Sequence, residues 1–427
     1  MPEPFESESS AHDIPSHLFQ SELGVENVLI AGAGLGGLVL AQALRKQGIS
    51  YEIFERDRSA RERRPGWVIG LHHMLDDLKA SIPDDLPPIS SLSNLLPLTK
   101  YFPEVVYYDP DKPNQPKIGV RGDESEWIVR AARHRIIEWL ETNIPVQYSK
   151  RAINIEEAND KVKIHFDDGT SAEGDILVGA EGARSATRRH IFKGEDPIRS
   201  PPMSIIQGFG TLHGDELEEQ LRLGHSLYIV DMNSVNGSPM LLLVMLIEVY
   251  PDGKSGKFGW GLIWPDDGAT KEDFWVYSAT GQEQYDFAVE KTKNLPAKYL
   301  TVIKRSDPQS CVPILRLHTL IIDSMPAGRV TLLGDAAHAM TPFRGEGGFH
   351  AISDALDLAR AIAKIDKNNI ENIKEVFGTY QSKMLETGKA AAKLSEEEFA
   401  KKREAGGPEF YTAWGRPMGP LPEEDFL

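Results

Sequence analysis

The chain has 427 residues, of which 41% are hydrophobic and 26% charged, as in a soluble globular protein with more than one lobe. Its 64 acidic and 47 basic side chains give a formal net charge of -17, which disfavours nucleic acid and anionic lipid as partners. The single cysteine excludes an intramolecular disulfide and a cysteine-based metal cluster.

The first residues and the longest apolar run bear on where the protein works. Residues 1–24 are polar and lack periodicity, so we expect a mobile extension rather than a secretory signal. The longest apolar run, Met240 to Ile247, is too short to span a bilayer. Together with the lone Cys311, these features predict a cytoplasmic protein with no membrane span.

The first predicted elements form a β-α-β unit. An apolar strand from Val25 to Ile30 is followed by a helical stretch from Leu38 to Lys46, and the next strand is Tyr51 to Phe54. Gly48 suits the end of the helix, because glycine readily adopts the left-handed conformation found there. This order is the commonest start of a doubly wound sheet.

Further along the chain, strand-like and helical patterns alternate. Residues 81–116 are irregular, Glu126 to Leu140 is predicted to be a helix, and Lys161 to Val178 a hairpin with a returning strand. Met203 to Tyr277 is strand-like and aromatic, with Trp260, Trp264 and Trp275; Arg329 to Leu333 is a strand, and 349–392 is helical. We therefore predict an α/β fold, in which a Rossmann-type domain (25–202 and 302–394) is interrupted by a β-rich substrate domain (203–301). A helical region and a tail (395–427) end the chain.

A Gly-x-Gly-x-x-Gly motif at residues 32–37 joins the first strand to the first helix. Gly32 permits the tight turn, Gly34 lets a pyrophosphate approach the backbone, and Gly37 lets helix and strand pack closely. Glu55, at the end of the second strand, can accept hydrogen bonds from a ribose diol. This context favours a dinucleotide site over a structural glycine turn, but it does not distinguish NAD from FAD.

A second glycine-rich segment follows the strand that ends at Gly334. Asp335 stands where a carboxylate can bind a polyol chain, and Gly345 to Gly348 open a helix whose free N–H groups can hold an electron-rich carbonyl. Together with residues 32–37 and 175–185, this segment resembles the single-component FAD-dependent monooxygenases, the flavoprotein aromatic-hydroxylase family. The motifs occur in the family's order along the chain.

The resemblance implies an FAD site and a role for each motif. The first glycines and Glu55 match the ADP-binding part, Asp335 the ligand of the ribityl or ribose hydroxyls, and Arg133 an arginine that contacts the flavin nucleotide. The D-G motif, Asp175 to Ser185, is implicated in both FAD and NAD(P)H use, and Gly66 to His72 is most like fungal members that act on secondary metabolites. The predicted cofactor-binding residues are Gly32, Gly34, Leu35, Gly36, Gly37, Glu55, Arg56, Arg133, Gly182, Gly334, Asp335, Pro342, Gly345, Gly347, Gly348 and Phe349.

Some residues depart from the family pattern. Glu181 replaces the usual aspartate of the D-G motif, and Phe349 stands where an asparagine is common. The N–H groups of Gly347 and Gly348 remain, so we expect flavin binding to survive. Arg344 stands where a small residue is usual, and we expect it to face solvent rather than an acidic substrate.

By this resemblance we expect NAD(P)H to reduce FAD and one atom of O2 to be inserted, by hydroxylation or epoxidation, into an aromatic or apolar small molecule. The aromatic content of 203–301 favours such a substrate, although a plain hydrophobic core explains the same residues. A flavin dehydrogenase or reductase would share every cofactor motif, whereas a non-catalytic relative would be expected to lose Asp335. With a single Gly-x-Gly-x-x-Gly, NAD(P)H is expected to bind without a Rossmann domain of its own, and no metal site or catalytic acid or base stands out.

Overall fold

The computed structural model describes residues 24–62, 68–72, 74–93, 103–112, 116–122, 129–158, 160–232, 239–313, 316–400 and 418–421. The predicted extension at 1–23, Gly66 and Trp67, the predicted helix start at 126–128, and tail residues 401–417 and 422–427 lie outside them. The helices are α1 (Leu35–Gln47), α2 (Leu75–Ser81), α3 (Arg133–Leu140), α4 (Ala186–Ile191), α5 (Gly214–Leu223), α6 (Trp275–Ser278), α7 (Gly281–Thr292), α8 (Thr301–Lys304), α9 (Asp335–His338), α10 (Gly347–Ile362) and α11 (Ile370–Ala400). The strands are β1 (Val28–Ala31), β2 (Tyr51–Phe54), β3 (Val68–Leu71), β4 (Glu104–Tyr108), β5 (Ile118–Arg121), β6 (Val129–Ala132), β7 (Ala152–Glu157), β8 (Val162–Phe166), β9 (Ser171–Gly174), β10 (Ile176–Gly179), β11 (Met203–His213), β12 (Ser226–Asp231), β13 (Leu241–Val249), β14 (Ser255–Pro265), β15 (Val312–Pro313), β16 (Val330–Leu332) and β17 (Gly419–Pro420).

A four-stranded parallel sheet in the order β16-β10-β1-β2 forms the Rossmann-type unit, which confirms the predicted α/β class. Strands β1, β10 and β16 are largely apolar and buried, as parallel strands covered on both faces must be, whereas the edge strand β2 is buried only at Ile53 and Phe54. Helix α1 connects β1 to β2 and ends at Gly48, whose φ of 72° is left-handed as predicted. On the other face, the antiparallel strands β7, β8 and β9 pack Ile164 and Phe166 against Leu29 and Leu177.

An eight-stranded sheet, in the order β15-β11-β14-β13-β12-β4-β5-β17, forms the second layer. Its two faces follow the period of two along each strand. In β13, Leu242 and Val244 belong to a core shared with helices α5, α7 and α8, whereas Leu243 and Met245 point to the opposite face. Strands β4, β5, β15 and β17 join this sheet from outside 203–301, and the division of the chain into domains stays a prediction.

Three predicted elements need correction. The described part of the predicted helix from 126 to 140 begins as strand β6, which pairs with β3, and helix α3 starts only at Arg133. The strand-like region 203–277 contains helix α5, whose leucines Leu217 and Leu221 lie one turn apart and pack against the sheet. The helical region 349–392 is two helices, separated by residues 363–369, and Asn369 caps the second of them.

The last helix extends further than the sequence pattern indicated. Helix α11 runs to Ala400, so the first residues of the predicted tail are helical, and Thr341 Oγ1 lies 2.6 Å from Ser395 Oγ at its buried face. Among the helices that the structure describes, none has the length and the apolar composition needed to cross a bilayer.

Candidate functional site

A cavity of about 830 Å³ lies between the carboxyl ends of the parallel strands and the eight-stranded sheet. This volume is typical of a site that encloses an organic cofactor or ligand, and the edge where parallel strands end is the usual place for one. All the predicted cofactor-binding residues except Gly37 and Phe349 line this cavity. Segments far apart in sequence thus converge on one site.

The glycines of the first loop have distinct roles. A Cβ on Gly32, whose φ is +106°, would lie 2.4 Å from the Ala180 carbonyl oxygen, and one on Gly37 only 2.0 Å from the Gly32 carbonyl oxygen. In contrast, no described atom lies within 4 Å of a Cβ built on Gly34, which faces the cavity. Helix α1 begins at this point without a side-chain cap in the described structure, so its first N–H groups are available to a pyrophosphate.

Glu55 is held at the rim of this loop. It is 8% exposed, and its two carboxylate oxygens accept hydrogen bonds from the backbone N–H groups of Ala33 (2.9 Å) and Asp57 (3.1 Å). A carboxylate offers about four acceptor positions in all, so a group of this kind at the cavity wall suits a ribose diol. Lys150, which precedes β7, and Phe166 of β8 also contribute to the cavity wall, and no sequence motif indicated them.

Asp335 opens helix α9 directly after Gly334, whose φ of +58° turns the chain at the end of β16. Its side chain lines the cavity and is exposed there. Desolvation raises the pKa of Asp335, opposed by the positive charges of His338 and Arg133. A carboxylate on the cavity wall near an arginine fits a cofactor's hydroxyl groups, because their O–H groups can donate hydrogen bonds to it.

The second glycine run shapes another helix end at the cavity. Gly345 is left-handed, with a φ of +66°, and helix α10 begins at Gly347 without a side-chain cap among the described residues. A Cβ on Gly348 would lie 3.4 Å from both Leu35 and Ile69 side chains, so the helix end sits tightly between α1 and β3. Phe349 lies outside the cavity lining and stacks on His72, with ring centroids 5.8 Å apart.

The far wall of the cavity is one face of the eight-stranded sheet. Its side chains are aliphatic: Val105, Leu227, Ile229, Leu241, Leu243, Met245 and Ile263. Trp260 and Trp264 lie in the core on the opposite face, where Trp260 Nε1 donates to Ser306 Oγ (2.8 Å), and Trp275 is 39% exposed. The tryptophans of 203–301 therefore do not line the cavity.

The expectation that Arg344 faces solvent is wrong. Arg344 lines the cavity, with only 20% of its side chain exposed, and forms an ion pair with Glu346 at 2.9 Å. Arg184, Arg189 and His318 also line the cavity. Burial and then the charge of Arg184 lower the pKa of His318, so this part of the wall is cationic through its arginines.

Glu181 uses its longer side chain to cap helix α4. Its carboxylate accepts hydrogen bonds from Ser185 Oγ (2.6 Å), Thr187 N–H (3.0 Å) and Thr187 Oγ1 (2.7 Å). Ser185 in turn accepts from the N–H of Arg188 at 2.9 Å, as a helix N-cap does. The departure from the family's aspartate is therefore accommodated locally, while Glu181 still lines the cavity.

Neither of the two histidines in the second glycine segment lines the cavity. His338 is 2% exposed and lies 2.6 Å from the Asp354 carboxylate, and its ring meets that of His350 edge-on. Within the described part of the chain, no group of histidine, cysteine and carboxylate side chains is arranged to hold a metal ion.

Comparison with known proteins agrees with this geometry. A family model described as an FAD binding domain matches residues 137–395, and one described as an NAD(P)-binding Rossmann-like domain matches residues 30–69. The FAD-dependent monooxygenase thnD of Trichoderma harzianum is 39% identical over 378 residues, which cover 87% of this chain and 92% of that protein. The FAD-dependent monooxygenase cctM of Talaromyces islandicus is 27% identical, over 87% of this chain and 91% of its own.

Among solved structures, the fold matches Klebsiella pneumoniae HpxO complexed with FAD and uric acid, with a TM-score of 0.67 and 19% identity over 88% of this chain and 89% of that one. It also matches 2,6-dihydroxypyridine-3-hydroxylase from Arthrobacter nicotinovorans, with a TM-score of 0.68 and 18% identity over 90% and 96% of the two chains. The converging glycine loops and the matches along most of the chain identify this protein as an FAD-binding oxidoreductase of the FAD-dependent monooxygenase family.

Proposed function

We propose that the protein uses NAD(P)H and O2 to insert one oxygen atom, by hydroxylation or epoxidation, into an aromatic or apolar small molecule. The observation that carries this proposal is the shape of the cavity. One cavity extends from the glycine-rich loop at Gly34, which is of the phosphate-binding type, to the aliphatic sheet face at Leu243. A cofactor and an apolar substrate would therefore share one enclosed space. The fungal relatives support a role in secondary metabolism.

The residues present fit FAD. In our proposal the α1 N-terminus at Gly34 holds the pyrophosphate, Glu55 a ribose diol, and Asp335 the ribityl or ribose hydroxyls. The N–H groups at Gly347 and Gly348 would face the electron-rich carbonyls of the ring system. When bound, FAD supplies electron transfer from NAD(P)H and the activation of O2.

The chain's own contribution is position and the exclusion of water. The aliphatic face of β12, β13 and β14 offers an apolar substrate a dry wall without competing hydrogen-bond donors. Dryness matters because bulk water beside the reacting groups would divert reducing equivalents from the substrate. At the edge of this face, Tyr107 donates its hydroxyl hydrogen bond to Asp231, and both side chains are buried.

We place NAD(P)H on the cationic part of the same cavity. Arg184 lies within the D-G motif and Arg189 shortly after it, and both line the wall, where their guanidinium groups suit phosphates. The whole chain has a net charge of -17, whereas these cavity arginines are positive. They would therefore attract an anionic co-substrate to this part of the cavity.

The first test is an absorbance spectrum of the purified protein, followed by NADPH- and NADH-dependent oxygen uptake with a panel of phenols and polycyclic aromatic compounds. We expect flavin bands, substrate-stimulated uptake, and one labelled oxygen in the product when ¹⁸O₂ is supplied. Flavin reduction without label in any product would point to a dehydrogenase or reductase instead. If ¹⁸O from O2 appeared only in water and not in the organic product, the proposal would also be contradicted, because O2 would then be reduced without insertion.

Filling the cavity at the sheet face should impair substrate binding and leave FAD in place. Leu243 lines the cavity on β13, so Leu243→Trp would place an indole where substrate is proposed to lie. We expect KM for the best substrate of the panel to rise at least about tenfold, corresponding to about 1.4 kcal/mol of lost binding. The flavin spectrum and the Tm should change little.

Leu242 provides the matched control, because its side chain lies on the opposite face of the sheet from that of Leu243. Leu242 is fully buried on the face covered by helices, so Leu242→Trp should overpack the core and lower stability by about 1–3 kcal/mol. If Leu243→Trp destabilises the fold as much and leaves KM unchanged, the proposed substrate wall is wrong.

A further inference from the structure

The buried pair of His338 and Asp354 lies directly behind the Gly334–Asp335 turn. Asp354 is 5% exposed, and its Oδ2 accepts a hydrogen bond from the Gly334 N–H at 2.9 Å and lies 2.6 Å from His338 Nε2. One carboxylate oxygen thus contacts the residue before helix α9 and the last residue of that helix. Asp335 is held between these two contacts.

Helix α9 needs such support because it is very short. Its four residues, Asp335–His338, form about one turn, and a helix of this length has no stability of its own. Gly334 at its start has no side chain that could cap it, and the Gly334 N–H donates to Asp354 Oδ2. Loss of this contact would free the backbone that directs the Asp335 side chain.

The same pair connects two parts of the proposed flavin site. Asp354 belongs to helix α10, whose first residues, Gly347 and Gly348, line the cavity. A Cβ on Gly334 would lie 2.9 Å from the Ala351 Cβ, so this helix packs directly against the turn. The position of Asp335 relative to the α10 N-terminus is therefore set by Asp354.

Helix α11 leaves space for the His338 imidazole ring, and the charges around the ring affect its pKa. A Cβ on Gly388 of helix α11 would lie 2.4 Å from the His338 ring, so glycine there leaves room for it. Burial alone would lower the pKa of His338, but the Asp354 carboxylate outweighs it, so that the pKa is raised. A charged His338 would in turn favour the ionised form of Asp335, which also faces Arg133.

We propose that His338 and Asp354 are positioning residues, which hold Asp335 and the α10 N-terminus in the arrangement that binds FAD. This inference rests on the proposed cofactor role of Asp335. A buried polar pair can also serve the fold alone, so the test must separate cofactor affinity from stability.

Asp354→Asn is the first variant, because it keeps the size of the side chain and one acceptor oxygen while removing its charge. We expect the Kd for FAD, measured by quenching of flavin fluorescence on titration with apoprotein, to rise at least about tenfold. His338→Gln should act similarly if Asp354→Asn fails to fold. Because the two residues act as a unit, the double variant should bind FAD about as weakly as either single variant.

Tyr380→Phe is the matched control. The Tyr380 hydroxyl is buried and donates to the Leu332 carbonyl oxygen at 3.0 Å, in the strand just before the turn. Its loss should lower the apoprotein Tm, yet leave the Kd for FAD within about twofold of wild type, as loss of a net hydrogen bond in the fold alone would. The visible circular dichroism of bound flavin should change in the His338 and Asp354 variants and not in this one.

The outcomes are distinguishable. Equal FAD affinity in wild type, Asp354→Asn and His338→Gln would overturn the positioning role while leaving the proposed function intact. The positioning role would also be overturned if FAD affinity fell in proportion to Tm in all the variants, with Tyr380→Phe following the same relation as the His338 and Asp354 variants. Failure of wild-type apoprotein to bind FAD would instead contradict the proposed function.

Discussion

Asp335→Ala should release FAD from a chain that remains folded. In the proposed site this carboxylate binds cofactor hydroxyls, and each hydrogen bond to a charged group contributes about 1.5–3 kcal/mol. Losing one such bond would weaken FAD binding by about 10- to 150-fold, and losing two by more. The measurement is a fluorescence titration of apoprotein with FAD, together with the absorbance of the protein as purified.

Stability of the apoprotein should not fall in this variant, and it should rise slightly. Desolvation raises the pKa of Asp335, so at neutral pH the ionised group costs the folded state free energy relative to the unfolded state. This cost is absent below the unfolded pKa and develops as pH rises, so the variant's advantage should grow from acid to neutral pH. Asp323→Ala, at a side chain that is 80% exposed and outside the cavity lining, is the control. Full FAD occupancy in Asp335→Ala would contradict the assignment.

Two glycines of the first loop should respond to the same substitution in opposite ways. A methyl group on Gly37 would lie 2.0 Å from the Gly32 carbonyl oxygen, and backbone cannot yield as a side chain can. We expect Gly37→Ala to lose at least about 3 kcal/mol of stability and to yield little or no folded protein. Urea unfolding of the apoprotein measures the loss.

Gly34→Ala should leave the apoprotein's unfolding midpoint close to that of wild type. A Cβ there meets no described atom within 4 Å, and the backbone of Gly34 is in an extended conformation open to any residue. The added methyl group would instead occupy space that we assign to the pyrophosphate, so FAD binding should weaken at least about tenfold. Tight FAD binding by Gly34→Ala would place the pyrophosphate elsewhere in the cavity.

The cofactor half of the site was readable from the sequence because its demands are local. Gly32 and Gly37 sit where a side chain would collide with backbone a few residues away or in the next strand. Gly48 needs a left-handed φ to end a helix. Such requirements restrict single positions to glycine, so the β-α-β unit could be predicted from the sequence, and the residues predicted around Asp335 lie in one cavity.

The substrate half was not readable in the same way. Whether Trp260 or Leu243 faces the cavity depends on the register between β13 and β14 and on which face the helices cover. The period of two shows that a strand has two faces, but both faces here are apolar. The aromatic residues of 203–301 are therefore compatible with either a substrate pocket or a plain core, and in the structure Trp260 and Trp264 lie in the core.

By itself, the sequence determined the α/β class, the family and the cofactor loops, because glycine geometry and motif order constrain the chain locally. Only the tertiary structure decided that Arg344 turns into the cavity, that 129–132 is a strand, and that Asp354 braces the turn at Asp335. These features arise from contacts between segments far apart in sequence. Their energies depend on packing and desolvation, which no local pattern records.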